Sequence, residues 1–406
     1  LKHMLRSLLR FGVTVVCAIM PLSLTYAQQV QVQGVTDKEI VIGAFGPITG
    51  PLSWLGQGAR DGIQLAIDEI NVNGGINGRN LRLEHQPATT PAESLAAVKK
   101  LNEQSKVYMI FSAHGSTGAE AAADYFRESG MPVFNCVSLT MRLREPFASN
   151  IFNGTPPSVD IMNKAYVESI LGQKPTPKRI AVLVGTYAFP QAEWNGAKPL
   201  FEKAGLEIAT VQSYDLGDRD YTAQLAQISR AKPDLVVAFG QVQEIAIAIR
   251  QAPERGLAKT PWWVGAGVVT KAFPTVAGKA SEGTRSVWAL PYFHGEKSNP
   301  MEKFEAAWTK RFGQPPEGRP AYTDVFCNGD MNIVALAMRN AGSDLSWPNL
   351  VRQFEALKNA KPSDLGPWAH DVVFPETFGP GQRQGNSKSV DIVVKDGTWQ
   401  VLRDAQ

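Results

Sequence analysis

Cysteine is scarce in this chain, three in 406 residues, and no two form a Cys-x-x-Cys pair, so dithiol redox chemistry lacks its residues. Histidine is also thin, five in all: beyond His3, His85, His114, His294 and His370 lie singly and leave no metal-ligand spacing. There is no Gly-x-Ser-x-Gly elbow for nucleophilic hydrolysis. The string Gly56-x-Gly58-x-x-x-Gly62 echoes a dinucleotide fingerprint, but its spacing is off and the loop before it is long. These absences exclude the common enzyme classes and leave no metal or cofactor to expect.

Long apolar runs are also missing. The longest, Phe11 to Leu24, spans 14 residues, short of the roughly 20 that a membrane-spanning helix needs. Lys2, Arg6 and Arg10 precede it and Thr25-Tyr26-Ala27 follows it, the layout of an export signal removed near Ala27, which predicts a periplasmic product. Cys17 follows Thr14-Val15-Val16, which is not a lipidation pattern, so a soluble product is expected. A surplus of one charge is lacking too. Removing residues 1–27 takes away three of the 41 basic residues and none of the 38 acidic ones, leaving 38 of each, with no footprint for nucleic acid. Cys136 and Cys327 remain, read as free buried thiols, with a bridge in an oxidising compartment as the alternative.

What is present is a repeated grammar. About 380 residues exceed what one core usually supports, so two lobes are expected. From residue 38, short β-branched runs alternate with amphipathic helices, the pattern of a doubly wound α/β sheet with a parallel core. The first round places strands at Glu39–Phe45, Leu81–His85, Tyr108–Phe111 and Pro132–Cys136, with helices at Leu55–Asn73, Pro91–Gln104 and Gly118–Ser129. A second round runs through strands Ile180–Val184, Glu207–Gln212, Leu235–Phe239 and Trp262–Val264, with helices at Ala192–Ala204, Tyr221–Arg230 and Val242–Glu254. Asn153-Gly154-Thr155-Pro156-Pro157, rich in breakers, reads as a crossing between them. Helices follow at Met301–Phe312, Tyr322–Asn340 and Trp347–Lys358, then a hairpin over Ser389–Leu402 turning at Asp396-Gly397.

Three strings carry a resemblance: Ile42-Gly43-Ala44-Phe45-Gly46-Pro47-Ile48-Thr49-Gly50-Pro51, Ala66-Ile67-Asp68-Glu69-Ile70-Asn71, and Gly74-Gly75-Ile76-Asn77-Gly78-Arg79. Together the chain resembles the leucine/isoleucine/valine-binding protein family over almost all of residues 28–406. The resemblance implies a type I periplasmic-binding fold, two α/β lobes joined by three hinge crossings. The expected boundaries are 28–154 plus 291–380 for one lobe and 155–290 plus 381–406 for the other. It further implies a non-catalytic solute-binding component of an ABC importer, acting as a monomer with a permease and an ATPase as partners. A ligand-sensing module for a signalling receptor is the alternative reading.

Candidate ligand residues cluster at strand ends. The loop Ser112-Ala113-His114-Gly115-Ser116-Thr117-Gly118 opens a helix whose free amides would attract an anion, and Thr117-x-x-Glu120 reads as a capping box. The resemblance makes Ser116 and Thr117 holders of a ligand carboxylate, with Thr140 gripping the same group and Ser138 and Leu139 on the same wall. His114 lies in the same loop. Trp54, Leu55, Tyr187 and Phe189 are the apolar candidates, Phe189 matching an aromatic that covers the ligand in relatives; Trp262 and Trp263 are weaker ones, with at least one expected in the core. Ala266 stands where amino-acid binders of the family place an acid for the ligand ammonium. Either Glu244 or another acid replaces it, or the ligand has no amino group and Gln241 and Gln243 supply neutral hydrogen bonds. The expected ligand is an aromatic or aliphatic acid, followed by branched-chain amino acids.

Overall fold

The computed structural model describes residues 32–402 apart from 51, 294, 296, 298, 317 and 318. The expected export segment 1–27, Cys17 and His294 lie outside the described residues. The first strand, β1 (Glu39–Gly46), turns Ile40, Ile42 and Ala44 to one face and Val41 and Phe45 to the other, all buried. An apolar set on both faces demands helices on both sides of the sheet. They follow in alternation: α1 (Ser53–Val72), β2 (Asn80–Pro87), α2 (Pro91–Lys99), β3 (Met109–Ser112), α3 (Ser116–Ser129), β4 (Val133–Asn135) and β5 (Ile151–Asn153). The strands pair in the order β2-β1-β3-β4-β5, every pair parallel.

After residues 154–158 the pattern begins again with α4 (Val159–Leu171), β6 (Arg179–Gly185), α5 (Ala188–Lys203), β7 (Glu207–Tyr214), α6 (Thr222–Ala231), β8 (Leu235–Phe239), α7 (Val242–Gln251), β9 (Trp262–Val264), α8 (Ala272–Ala277) and β10 (Arg285–Trp288). Three helices come next, α9 (Asn299–Phe312), α10 (Tyr322–Asn340) and α11 (Trp347–Ala356), and then the hairpin β11 (Val390–Lys395) and β12 (Thr398–Val401). The second sheet runs β12-β11-β10-β9-β8-β6-β7, parallel from β7 to β10 and antiparallel where β10 meets β11 and within the β11–β12 hairpin. Asp396 and Gly397 turn that hairpin with φ of 53° and 72°, the left-handed pair that a tight two-residue turn requires.

Met331, Leu336, Leu350 and Phe354 of α10 and α11 pack with Ile42, Phe134 and Phe152 of the first sheet. The chain therefore passes between the sheets three times: after β5, between β10 and α10, and before β11. This is the expected α/β architecture of two doubly wound sheets. Four elements escape the sequence reading: α4, β5, α8 and β10. Four helices begin earlier than expected, α1 at Ser53, α3 at Ser116, α5 at Ala188 and α9 at Asn299. The Thr117–Glu120 capping box is consequently absent, because Gly115 is the N-cap and offers no side chain.

The free-thiol expectation for the cysteines is overturned. Cys136, just beyond β4, is bonded to Cys327 of α10 across a sequence separation of 191, with Cα atoms 5.2 Å apart. The glycines of α1 also acquire a reason that has nothing to do with a dinucleotide. A Cβ on Gly62 would lie 2.1 Å from the Asp324 carbonyl oxygen, and one on Gly58 2.1 Å from Thr323 Oγ1. Close contact with α10, buried around its whole circumference from Thr323 to Met338, requires bare backbone there.

Gly62→Ala should therefore force α1 and α10 apart and cost ~1–3 kcal/mol, read as a lower urea midpoint; an unchanged midpoint would refute the close approach. Reducing the Cys136–Cys327 bond should remove roughly 2–4 kcal/mol, since it closes a long loop of the unfolded chain. The drop in Tm with reductant should vanish in Cys327→Ser, and its persistence there would show that the bridge is not responsible.

Candidate functional site

A sheet of order 2-1-3-4-5 reverses its winding between its first and third strands, and the crevice left at their carboxyl ends is where such sheets gather ligands. Here the order occurs twice, with the reversal at β1/β3 in one sheet and at β6/β8 in the other. Residues beyond all four strand ends line a single cavity of about 270 Å³: Leu52, Trp54 and Leu55 after β1, His114 to Thr117 after β3, Tyr187 to Phe189 after β6, and Gln241 after β8. Val137 and Leu139 after β4, Ala266 after β9, and Trp288 and Ala289 at the end of β10 continue the wall.

Its polar end is the start of α3. Gly115 is extended and Ser116 and Thr117 occupy the first helical turn, so the amides of Ser116, Thr117 and Gly118 have no intrahelical acceptor. Ser138 Oγ lies 3.3 Å from Ser116 Oγ and donates to it, holding that hydroxyl beside the free amides. The helix N-terminus adds partial positive charge at the same place. His114 is buried, with its ring packed so closely under Gly118 that a Cβ there would fall 2.3 Å from Cγ. Burial lowers its pKa, so the imidazole is neutral and any anion bound here must rely on amides and hydroxyls.

Much of the remaining wall is built of rings. Tyr322 meets Trp54 edge-on at 5.0 Å and Trp288 at 5.8 Å, and Phe326 closes the group 5.2 Å from Tyr322. Phe189 faces them from α5, seated against Gly267, where a Cβ would come within 2.9 Å of its ring. Among the described residues, the lining contains no Lys, Arg, Asp or Glu.

Behind Ala266 stands an acid that the sequence reading did not single out. Glu193 of α5 is fully buried; its Oε1 accepts from Tyr166 Oη at 2.7 Å and from the Ala266 amide at 3.0 Å, and its Oε2 has no partner. Burial pushes its carboxyl up to about 7. Glu244, the substitute acid considered from sequence, instead lines an adjoining cavity of about 550 Å³ with Gln243, its Oε1 accepting from the Gly217 amide at 3.2 Å.

Of the sixteen residues considered from sequence, ten surround the first cavity: Trp54, Leu55, His114, Ser116, Thr117, Leu139, Tyr187, Phe189, Gln241 and Ala266. Two stand behind the wall. Ser138 reaches Ser116, and Thr140 gives its hydroxyl to Glu120 Oε1 at 2.6 Å, away from the cavity. Trp262 and Trp263 are both core residues of the second sheet. Among the lining residues missed from sequence are Met162, Trp288, Tyr322 and Phe326. Tyr322 and Phe326 belong to a helix that was read, at its start, but nothing in one sequence says which face meets the cleft.

Comparison with known proteins agrees with this geometry. Residues 39–382 match the family described as periplasmic binding protein. A leucine-, isoleucine-, valine-, threonine- and alanine-binding protein of Pseudomonas aeruginosa is 24% identical over 307 residues, covering 75% of this chain and 79% of its own. Among solved structures, the branched-chain amino acid transporter substrate-binding protein LivJ of Streptococcus pneumoniae, in complex with isoleucine, superposes with a TM-score of 0.74 at 19% identity, covering 90% of this chain and 99% of its own. A solute-binding protein of an ABC transporter from R. palustris, in complex with benzoate, gives 0.73 at 19% identity over 90% and 95% of the two chains. The chain belongs to the periplasmic binding protein family, and it is a binding protein rather than an enzyme.

Proposed function

We propose that the protein captures a small carboxylic acid without an amino group, an aromatic acid first, and delivers it to an ABC permease and its ATPase. The observation that carries this reading is the composition of the cavity wall. It offers free amides and the hydroxyls of Ser116 and Thr117, a fit for a carboxylate without a cation. It also offers Trp54, Trp288, Tyr322, Phe326 and Phe189, a fit for a flat apolar body. An ammonium entering the cavity meets no acid on its surface, and an unpaired buried charge is strongly penalised. The acid behind Ala266 already spends one oxygen on Tyr166 and on the Ala266 amide.

The relatives bracket the choice, since one family member of this fold is solved with isoleucine and another with benzoate. In this reading residues 28–154 plus 291–380 form one lobe and 155–290 plus 381–406 the other, and the export signal is cleaved near Ala27 to release the protein into the periplasm. The carboxylate docks first on α3. The second lobe then brings Phe189 and Gln241 over the ring, and contacts made only in the closed state drive closure.

Calorimetry tests the ordering of ligands. Benzoate should bind in the micromolar range, with leucine roughly tenfold weaker or more; micromolar leucine binding without benzoate binding would overturn the reading. Ser116→Ala should weaken benzoate roughly ten- to a hundredfold, the worth of a hydrogen bond to a charged group. Thr140→Ala, whose hydroxyl is engaged by Glu120, should change affinity far less, and equal losses in the two variants would place the carboxylate elsewhere.

A further inference from the structure

Two of the three crossings run side by side. The Asn153 amide donates to the Arg383 carbonyl at 2.7 Å, the Gly385 amide to the Asn153 carbonyl at 2.7 Å, and Gln384 Nε2 to the Gly154 carbonyl at 2.6 Å. Under this paired strap lie two fully buried carboxyls, Asp330 from the middle of α10 and Glu376 from the segment after α11. They adjoin each other at Thr155. The Thr155 amide donates to both Asp330 oxygens at 3.2 Å, and Thr155 Oγ1 lies 3.5 Å from Glu376 Oε1. Contact with the strap is direct: a Cβ on Gly154 would fall 2.5 Å from Asp330 Oδ2, and one on Gly385 2.7 Å from Glu376 Oε2, an oxygen with no partner.

The charged groups of the surrounding elements turn elsewhere. Arg383 reaches the Ser149 and Gly379 carbonyls and Glu355; Arg144 reaches Gln384 and the Thr140 carbonyl. Arg339 is spent on the carbonyls of Asp364 and Leu365, His370 on Glu69, and Asp371 on Ser363. Asp160 and Lys388 face solvent. Two touching carboxyls with no cation cannot both ionise in a dry site. Burial first, and for Asp330 also the charge of its neighbour, holds both above the usual carboxylate range, Glu376 at about 8.

We propose that Asp330 and Glu376 form a proton-dependent pin of the hinge, in which the fully protonated pair locks the 154–155 and 383–385 crossings together and loss of its first proton loosens them. The inference rests on the reading that these crossings flex as the clamp opens. Its sign follows from linkage. Both carboxyls keep protons in the folded chain that the unfolded chain releases in the ordinary carboxylate range. Their stabilisation is complete below that range and is lost as pH rises through about 8. A periplasmic clamp so built is stiff in mild acid and slack in mild alkali.

Amide hydrogen exchange of the ligand-free protein, corrected for the intrinsic effect of pH, tests this without reference to any ligand, so a failure to bind benzoate leaves the outcome readable. Protection at residues 150–158 and 380–388, relative to β8, should fall roughly tenfold or more from pH 6 to pH 9 in the natural protein. Glu376→Gln, which supplies a permanent donor to Asp330, should keep the strap protected at both pH values. Glu193→Gln, which removes the titrating acid behind Ala266, should leave the fall in place. Equal protection at pH 6 and pH 9 in the natural protein would overturn the proposal whether or not the variants fold. So would a fall undiminished in Glu376→Gln, or one abolished by Glu193→Gln.

Discussion

A parallel sheet wound outward in both directions from its first strand must send its connections to opposite faces, and no loop can cover the point where they part. Two such sheets with their points of parting turned toward each other enclose a space that neither could make alone. Every feature of the cavity follows from that arrangement. Backbone amides arrive at its rim because each helix starts where a strand ends, and α3 starts with Gly115, whose lack of a side chain leaves the first-turn amides uncapped. The aromatic wall arrives because β10 ends at Trp288 and α10 begins at Tyr322, on either side of one of the crossings.

Charge is distributed with equal economy. The cavity surface carries no ionised side chain among the described residues, yet buried acids stand close around it. Asp324 is locked under α1 by Arg319, at 2.7 Å, and the hydrogen bonds of Arg319, Trp308 and the Ala321 amide offset a burial that still lifts its pKa to about 6. Glu193 holds the wall at Ala266, and the Asp330–Glu376 pair lies beneath the strap. Asp324, Glu193 and Asp330 each accept from a backbone amide, and Glu376 from the Thr155 hydroxyl, at points where two segments must keep their spacing. Acids used in this way fix geometry; they are costly in the ionised form, which is why pH reaches positions that a ligand never touches.

The sheet grammar was legible because strands such as Ile180–Val184 and Leu235–Phe239 are short, β-branched and bounded by breakers, and burial on both faces makes them continuous apolar runs. Helix starts were less so. Ser116 and Ala188 join their helices because tertiary contacts extend the first turn past the point where propensity would begin it, and that shift turned an expected Thr117–Glu120 cap into a Thr140–Glu120 hydrogen bond. In α4, Val159, Met162, Asn163, Tyr166, Val167 and Ile170 keep helical spacing on the buried face, so that signal was present, hidden behind the prolines before it. The rest was not written locally. The disulfide joins residues 191 apart, and Asp330 and Glu376 are ordinary acids in sequence until folding removes water from both.

Glycine shows most sharply why local reading stops short. Gly58 and Gly62 sit in a helix where propensity argues against them by nearly 1 kcal/mol each, and a string search finds in them only a poor nucleotide motif. In the fold they are the surface on which α10 lies, within 2.1 Å of where their side chains would be. That contact carries α10 deep enough for Tyr322 and Phe326 to reach the cavity at one end of the helix. Farther along the same helix, it sets Asp330 under Gly154. Ligand wall and hinge pin are thus two stations on one buried helix, and the bare face of α1 is what fixes the height of both.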